Sequence, residues 1–370
     1  MSLVKATIAI DVGASKIAGA LINADFEILH EIAIPARQSL YGHADPDLAL
    51  TKKMITELLE VAKSQGIEIN NGGACFAEYV TPDQLLNSRD QIAWSVQPKE
   101  DFAELTGFAW VIESDVRAMA LAEVKASGLK DFLFVTVSSG ISHALVVNGK
   151  PWAGATGEAI GFGITQIDNS QESPILEQYS SGMGIARRYQ QLDSKDIESA
   201  ENVFANYQED KVAKGVIDSA AAVLGKSLAA MVDFLDPAKI VIGGGLWLGS
   251  ELYRNLVLES YEKNVTKRRK APEVVNSVSG AKAAVIGAAH CPSSNLILSS
   301  GISPVVQLRE AGVHVGLGVD GSSSADSASL WLEARQAMLL AKLHSGAAAG
   351  TARMALEIAT RGGAGCLGRI

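Results

Sequence analysis

The chain is poor in cysteine. Three occur in 370 residues, Cys75, Cys291 and Cys366, far apart and without a CxxC pair, which excludes a disulfide scaffold and a zinc site built on paired cysteines. A reducing, cytoplasmic setting is the expectation that fits them. Positive charge is also short: 32 Lys and Arg against 41 Asp and Glu leave a formal charge of -9 and a pI near 5.3. A nucleic-acid surface needs a basic face, and the run Lys267-Arg268-Arg269-Lys270 reads as a solvated helix end instead. No stretch approaches a membrane span, and the N-terminus enters a strand without a charged leader, so no membrane partner is expected. What remains is 48% hydrophobic and 20% charged, a globular composition with length for two or three domains.

Residues 7–22 (TIAIDVGASKIAGALI) alternate apolar and polar positions on both sides of a tight bend and read as strand, turn, strand. At the bend Asp11 offers a carboxylate, Gly13 permits a close approach, and Ser15 and Lys16 offer donors, a set that suits a phosphate and its metal ion. The spacing is neither GxxxxGK[ST] nor GxGxxG, so an ordinary hairpin is the competing reading at this point. Residues 27–34 give a third strand ended by Pro35, with His30 outward or satisfied. Asp45-Pro46 then opens a helix with Met54, Ile55, Leu58, Val61 and Ala62 at helical spacing, closed by Gly66. Residues 67–107 read as a strand and substrate-facing loops around the isolated Trp94.

A buried strand at 109–113 runs into Ser114-Asp115 and a helix over 116–124. An acid at the carboxyl end of a strand faces the crevice of an α/β sheet; the plainer reading is an N-cap. Residues 131–149 repeat the opening unit, with Ser138-Ser139-Gly140 at the bend and an Asn148-Gly149 turn after the second strand. Two such units facing each other form a grip for a polyphosphate. A long helix over 212–235 has Val216, Val223, Leu224, Leu228, Met231 and Leu235 on one face. Asp236-Pro237 breaks it, a strand follows at 239–242, and Gly243, Gly244 and Gly245 let a flat ligand lie against backbone. A small-residue helix over 280–289 is stopped by Pro292.

In this order and spacing, residues 1–289 resemble the ROK family of sugar kinases and related repressors. Asp11-Val12-Gly13-Ala14-Ser15-Lys16 is similar to the family's first phosphate motif (DxGGTK), residues 137–140 to the second (GTGxGGG), and Glu113-Ser114-Asp115 to its END motif. Gly154-Ala155-Thr156-Gly157-Glu158 with Leu176-Glu177-Gln178-Tyr179 resembles the substrate segment, and residues 240–245 the adenosine motif. The resemblance implies a two-lobe, actin-like (ribonuclease H-like) α/β fold, with lobes at 1–113 and 114–279 and the helix 280–289 closing the first. It implies ATP-dependent phosphorylation of a hexose or N-acetylhexosamine, with glucokinase and N-acetylmannosamine kinase relatives nearest in pattern, and a homodimer is in keeping with it. Asp115 would be the catalytic base, and Asp11 would face Mg²⁺ through the phosphates. Gly13, Ser15, Lys16, Ser138, Ser139 and Gly140 would orient the triphosphate, Gly243, Gly244 and Gly245 would back adenine or ribose, and Ser114, Glu158 and Glu177 would face the sugar.

The departures are specific. Ser114 stands for the family's Asn, Phe162 for its substrate-side His, Ser142, His143 and Ala144 for glycines, and Cys75-Phe76-Ala77-Glu78-Tyr79 for a Pro-Gly turn; the zinc cysteines are absent and no zinc is expected. A degenerate, sugar-binding homologue is therefore the second reading. No helix-turn-helix precedes Thr7, which speaks against a DNA-binding repressor.

From His290 the chain changes character. His290-Cys291-Pro292-Ser293-Ser294-Asn295, residues 312–320 (GVHVGLGVD), Gly321-Ser322-Ser323, a helix over 331–343 and Thr360-Arg361-Gly362-Gly363-Ala364 resemble the last part of amidohydrolase-superfamily deaminases acting on guanine or 8-oxoguanine. The resemblance implies a C-terminal fragment of a TIM barrel at 290–370, with Asp320 at the place of a metal ligand and proton shuttle. No two of the six histidines form the HxH pair such a barrel needs, so a hydrolytic remnant is the third reading. Limited proteolysis of the full chain is expected to cut soon after His290 and leave a folded core; a tail as resistant as the core would refute that division.

Overall fold

The computed structural model describes residues 4–36, 43–168, 170, 173–193, 199–266, 270–290, 315, 334–335, 337–339, 341–342 and 351–362. The chain separates into two compact units, Met1–Cys291 and Pro292–Ile370.

In the first unit, β1 (Val4–Val12), β2 (Lys16–Asn23) and β3 (Ile28–Pro35) form an antiparallel meander. A two-residue strand β4 (His43–Ala44) precedes helix α1 (Ala49–Gln65) and β5 (Ile67–Phe76). The short β6 (Ile92–Ala93), which pairs with β4, leads to α2 (Pro98–Thr106), β7 (Ala109–Ser114) and α3 (Asp115–Ser127). Strands β5 and β7 run parallel to β1, giving a sheet of order β3-β2-β1-β5-β7.

The chain then draws the same sheet again. Strands β8 (Phe132–Val137), β9 (Ile141–Val147) and β10 (Lys150–Pro151) make the meander, and β11 (Lys239–Gly243) and β12 (Glu273–Asn276) add in parallel, in the order β10-β9-β8-β11-β12. Between β10 and β11 lie α4 (Leu176–Ser180), α5 (Gly182–Asp193), α6 (Ala200–Ala205) and α7 (Lys211–Leu235). Between β11 and β12 lie α8 (Gly245–Gly249) and α9 (Glu251–Asn264), and α10 (Ala283–His290) ends the unit. The repeated strand-turn-strand unit seen in the sequence is thus the start of a duplicated five-stranded sheet.

Each sheet is covered because its parallel strands are apolar on both sides. One face of the first sheet, through Ile8, Ile10, Val12, Ala74, Phe76 and Ile112, packs on Met54, Ile55 and Leu58 of α1. Its other face, Ala9, Ala20 and Cys75, is lined with small side chains that pack with Ala118 of α3 and Val285 and Ala288 of α10. The approach is so close that a Cβ at Gly287 would lie 1.8 Å from the Ala118 carbonyl oxygen, so only glycine fits there. The second sheet packs its Leu133, Val135, Ile240 and Ile242 against Val216, Leu224 and Leu228 of α7.

Several expectations need correcting. Helix α1 starts at Ala49, not at Asp45-Pro46. Those residues make a turn closed by Leu48 N–H on the Asp45 carbonyl, Leu48 takes a left-handed φ of 54°, and the Asp45 carboxylate reaches forward to Leu50 N at 3.1 Å and Thr51 Oγ1 at 3.1 Å. Residues 67–107 are more regular than expected, since Pro98 begins α2 at a first-turn position. Residues 280–282 form a tighter 3₁₀ turn before α10 begins. Helix α7 is, by length and composition, apolar enough to cross a membrane, against the expectation of no such run; half of that window is buried inside the unit.

Of the second unit, residues 334–335, 337–339 and 341–342 are helical, within the helix expected over 331–343. Thr351 Oγ1 caps α11 (Ala352–Glu357) by accepting Met354 N–H at 3.1 Å, and a wider turn follows over Ile358–Gly362. Apart from Val315, the barrel strands expected around 312–320, Asp320 and the Gly321-Ser322-Ser323 turn lie outside the described residues. His290 belongs to α10, where its ring packs 4.9 Å from that of Phe26.

Buried Glu123 on α3 is the strongest polar tie to the segment before α10. Its Oε2 accepts from Ser277 Oγ (2.7 Å), Val278 N (3.1 Å), Ser279 N (3.1 Å) and Ser279 Oγ (2.9 Å). Glu123→Ala strands these donors and is expected to cost about 2–4 kcal/mol, measured as a lowered urea midpoint; a shift within error would refute the role.

Candidate active site

Parallel pairing in register places Asp11, Cys75 and Glu113 in one row across β1, β5 and β7. Asp115, two residues past Glu113 and first in α3, brings a third acid to the same edge, close enough to feel the Asp11 charge. That edge is the carboxyl end of the parallel strands, where α/β sheets open into a crevice. Both aspartates keep a strip of accessible surface while their carboxyl groups lie deep. Loss of water raises the Asp11 carboxyl from 3.8 to about 6, opposed by the Cys75 thiol, 3.6 Å from Oδ1, and by the Lys16 charge. Asp115 rises to about 7, first through burial and then through the Asp11 charge; Glu78 adds to the rise, while Val116 N–H (2.7 Å to Oδ1) and Arg117 oppose it. Two desolvated acids, one raised further by the charge of the other, are a feature of reactive sites.

Around them the first turn is closed by Gly13 N–H on the Lys16 carbonyl at 3.0 Å, with Ser15 and Lys16 exposed. In the second turn Ser138 N–H meets the Gly140 carbonyl at 2.8 Å, and the Ser138 carbonyl accepts Gly182 N–H at 2.8 Å. Gly244, at φ 94°, lies against the end of β8, where a Cβ would sit 2.4 Å from the Val137 oxygen. Gly245 passes 3.7 Å from Ser138 Oγ on the same measure, so the triple glycine and the second turn form one surface, with Gly243 at the end of β11.

Glu177 is placed against this turn: its Oε2 accepts Ile141 N–H at 2.8 Å and would lie 2.6 Å from a Cβ at Gly140. Burial raises its carboxyl above the usual range. Glu158 is exposed and accepts Asn87 Nδ2–H at 3.2 Å. The Tyr79 hydroxyl is pushed up by burial and then by the charges of Asp90, Glu158, Glu177 and Glu78, which shows these acids surrounding it. Ser114 is fully buried on the opposite face, in register with Val12 and Phe76, and its Oγ has no hydrogen-bond partner. His143, in β9, is packed within the hairpin against Phe162. Its Nδ1 accepts Phe162 N–H at 3.2 Å, and burial lowers it to about 4, leaving a neutral ring.

Two residues of this region were not legible in the sequence. Buried Glu78 receives Ser88 Oγ–H and the N–H groups of Asp90 (3.0 Å), Gln91 (2.8 Å) and Ile92 (2.7 Å), and so shapes the loop that carries Asn87. Arg117, 1% exposed, pairs with Glu113 one helical turn back. The signal was an ionic side chain inside an apolar run in each case, CFAEYV and VRAMA. Among the described residues no three acidic, histidine or cysteine side chains converge on a metal-sized space. A cation at Asp11 would complete its shell with phosphate and water, as Mg²⁺ does.

The ROK family pattern matches residues 7–293, and the chain belongs to the ROK family. A ROK family glucokinase from Streptomyces griseus, solved with glucose and AMPPNP, shares the fold with a TM-score of 0.64 at 23% identity over 77% of this chain and 98% of that one. The two-lobe, actin-like ATPase architecture expected from the motifs is the one observed. A glucokinase from Halalkalibacterium halodurans is 29% identical over 271 residues, 65% of this chain and 80% of the relative. The second resemblance also holds: an 8-oxoguanine deaminase from Pseudomonas aeruginosa is 55% identical over 83 residues, 22% of this chain. The chain spans about a fifth of the length of the deaminases it matches.

A raised carboxyl holds its proton more tightly in the folded protein. Each aspartate thus contributes stability below about pH 4 that is lost as pH rises through about 6 for Asp11 and about 7 for Asp115. Asp115→Asn is expected to be more stable than the parent at pH 8 by on the order of 2 kcal/mol, with the gap shrinking at pH 5. Urea unfolding at the two pH values measures this, and a gap that grows in acid would refute it.

Proposed function

We propose that the chain transfers a phosphoryl group from ATP to a hydroxyl of a hexose or N-acetylhexosamine. The observation that carries this reading is the enclosed Asp115 carboxyl, tuned to about 7, beside Asp11 on the edge where the turns of the first sheet open. A base that removes a hydroxyl proton near neutral pH works best with such a value. Asp115 would hold the acceptor hydroxyl and take its proton. Asp11, whose carboxyl is opposed among the described residues by the Cys75 thiol and the Lys16 charge, is chemically suited to a divalent cation. Ser15, Lys16, Ser138, Ser139 and Gly140 would orient the triphosphate, while Gly243, Gly244 and Gly245 leave a flat wall free of side chains. ATP with its Mg²⁺ supplies the phosphoryl group and neutralises charge on it. Around Tyr79 the carboxylates, Glu158 and Glu177 among them, accept hydrogen bonds without donating any, which suits the hydroxyls of a sugar.

The second reading, a sugar-binding homologue with weak kinase activity, is favoured by one feature. Ile141 N–H, the free donor of the second turn, is already taken by the Glu177 carboxylate, and Ser142, His143 and Ala144 stand where glycines would let a phosphate approach. Deamination is not proposed, because the sequence has no HxH pair to complete a metal site with Asp320.

ADP release should be followed with glucose, mannose, N-acetylglucosamine and N-acetylmannosamine. One sugar is expected to be turned over, with kcat/KM rising toward a plateau near pH 7 and falling at least a hundredfold in Asp115→Asn. No turnover on any sugar by folded protein would overturn the kinase reading. Sugar binding that persists in that case would establish the second.

A further inference from the structure

We propose that Arg117 is the positioning residue that locks the two sugar-facing loops to the helix carrying the catalytic base. The inference rests on the sugar-kinase reading and assigns to this chain a device that reading does not require.

The guanidinium is 1% exposed and each of its three nitrogens donates a hydrogen bond. Its Nε donates to Glu113 Oε1 at 2.6 Å, Nη1 to the Gly157 carbonyl at 2.9 Å, and Nη2 to the Val80 carbonyl at 2.6 Å. Glu113 and Arg117 bracket Asp115, so the ion pair fixes the guanidinium relative to the base. The two carbonyls belong to different loops, and both loops lead directly to the acidic surface. Gly157 precedes Glu158. Val80 follows Tyr79, whose carbonyl accepts Asn87 N–H at 2.8 Å.

The loops also meet each other. Gly157 holds φ 89°, and a Cβ there would fall 2.0 Å from the Val80 oxygen and 2.8 Å from Thr81 Cα, so backbone lies on backbone. On the exposed side Asn87 closes the circuit through its bond to Glu158. The result is a ring: α3, Arg117, Gly157 and Glu158, Asn87, then Tyr79 and Val80, and back to Arg117. Two carbonyls side by side repel and leave buried acceptors unpaired unless one donor group serves both. A guanidinium does this with fixed, divergent N–H groups; an ammonium on a flexible stem cannot hold the same spread. The nucleotide-facing turns at Gly13 and Ser138 have no bond to Arg117 among its hydrogen bonds, so its effect falls on the acceptor side.

Full-length Arg117→Met and Arg117→Lys should be compared with the parent in two measurements. With the best substrate among glucose, mannose, N-acetylglucosamine and N-acetylmannosamine, Arg117→Met is expected to raise the sugar KM at least tenfold and leave the ATP KM within twofold. Arg117→Lys is expected to fall between, because it keeps the charge beside Glu113. In the sugar-free protein, hydrogen exchange should speed up at the amides of residues 81–92 and 157–165 while β1 and β5 stay protected. A sugar KM that does not move, or sugar and ATP KM rising together with exchange across the whole first unit, overturns the proposal. Should Arg117→Met fail to fold, Arg117→Lys decides by the same two readouts. If the parent phosphorylates none of the sugars, the kinase reading fails by itself; exchange unchanged in the two loops would still refute the clasp, and exchange raised there alone would uphold it.

Discussion

The first sheet confines two acids of like charge at the edge where its parallel strands end. Asp11 and Asp115 cannot both give up their protons there without cost, since water is largely excluded and each charge opposes the other. This constraint orders what surrounds them. Cys75, between Asp11 and Glu113 in the register, is small enough to leave room and offers only a weak donor. Lys16 lowers Asp11 from the turn, and Arg117, two residues further along α3, opposes the rise of Asp115. A cation bound beside Asp11 would relieve the pair; under the proposed kinase reading this would couple the metal-nucleotide to the protonation of Asp115.

Duplication explains how the rest is divided. Both halves repeat one sheet, and each contributes a bend between its first two strands. The first half places its acids on strand ends. The second fills its long connection between β10 and β11 with helices, and α4 delivers Glu177 to the bend at Gly140. The halves therefore share a strand order but carry different chemistry.

Much of this was legible because it is local. Alternation gave the two hairpins, Asn148-Gly149 the turn after β9, and the Asp236-Pro237 break the end of α7; the order of short motifs gave the family. What escaped depends on partners remote in sequence. Glu78 is satisfied by residues 88–92, and Arg117 by Gly157 and Val80, so neither could be told from a stray surface charge without the fold. Ser114 had the right neighbour but the pleat turned it toward Val12 and Phe76. The start of α1 moved because the Asp45 carboxylate reaches the first turn from three residues before the N-cap Leu48, a geometry that the Asp-Pro pair does not announce.

The place of α10 has one more consequence. Ala9, Ala20 and Cys75, all within the first 75 residues, are buried against a helix that ends at His290. During synthesis the first sheet therefore waits, one greasy face bare, until nearly the whole first unit has emerged. Formation of its final layer is a late, long-range event, slow by the loop it must close and exposed to aggregation in the interval. The small side chains on that face limit the hazard, because they offer a nascent chain little surface to stick to.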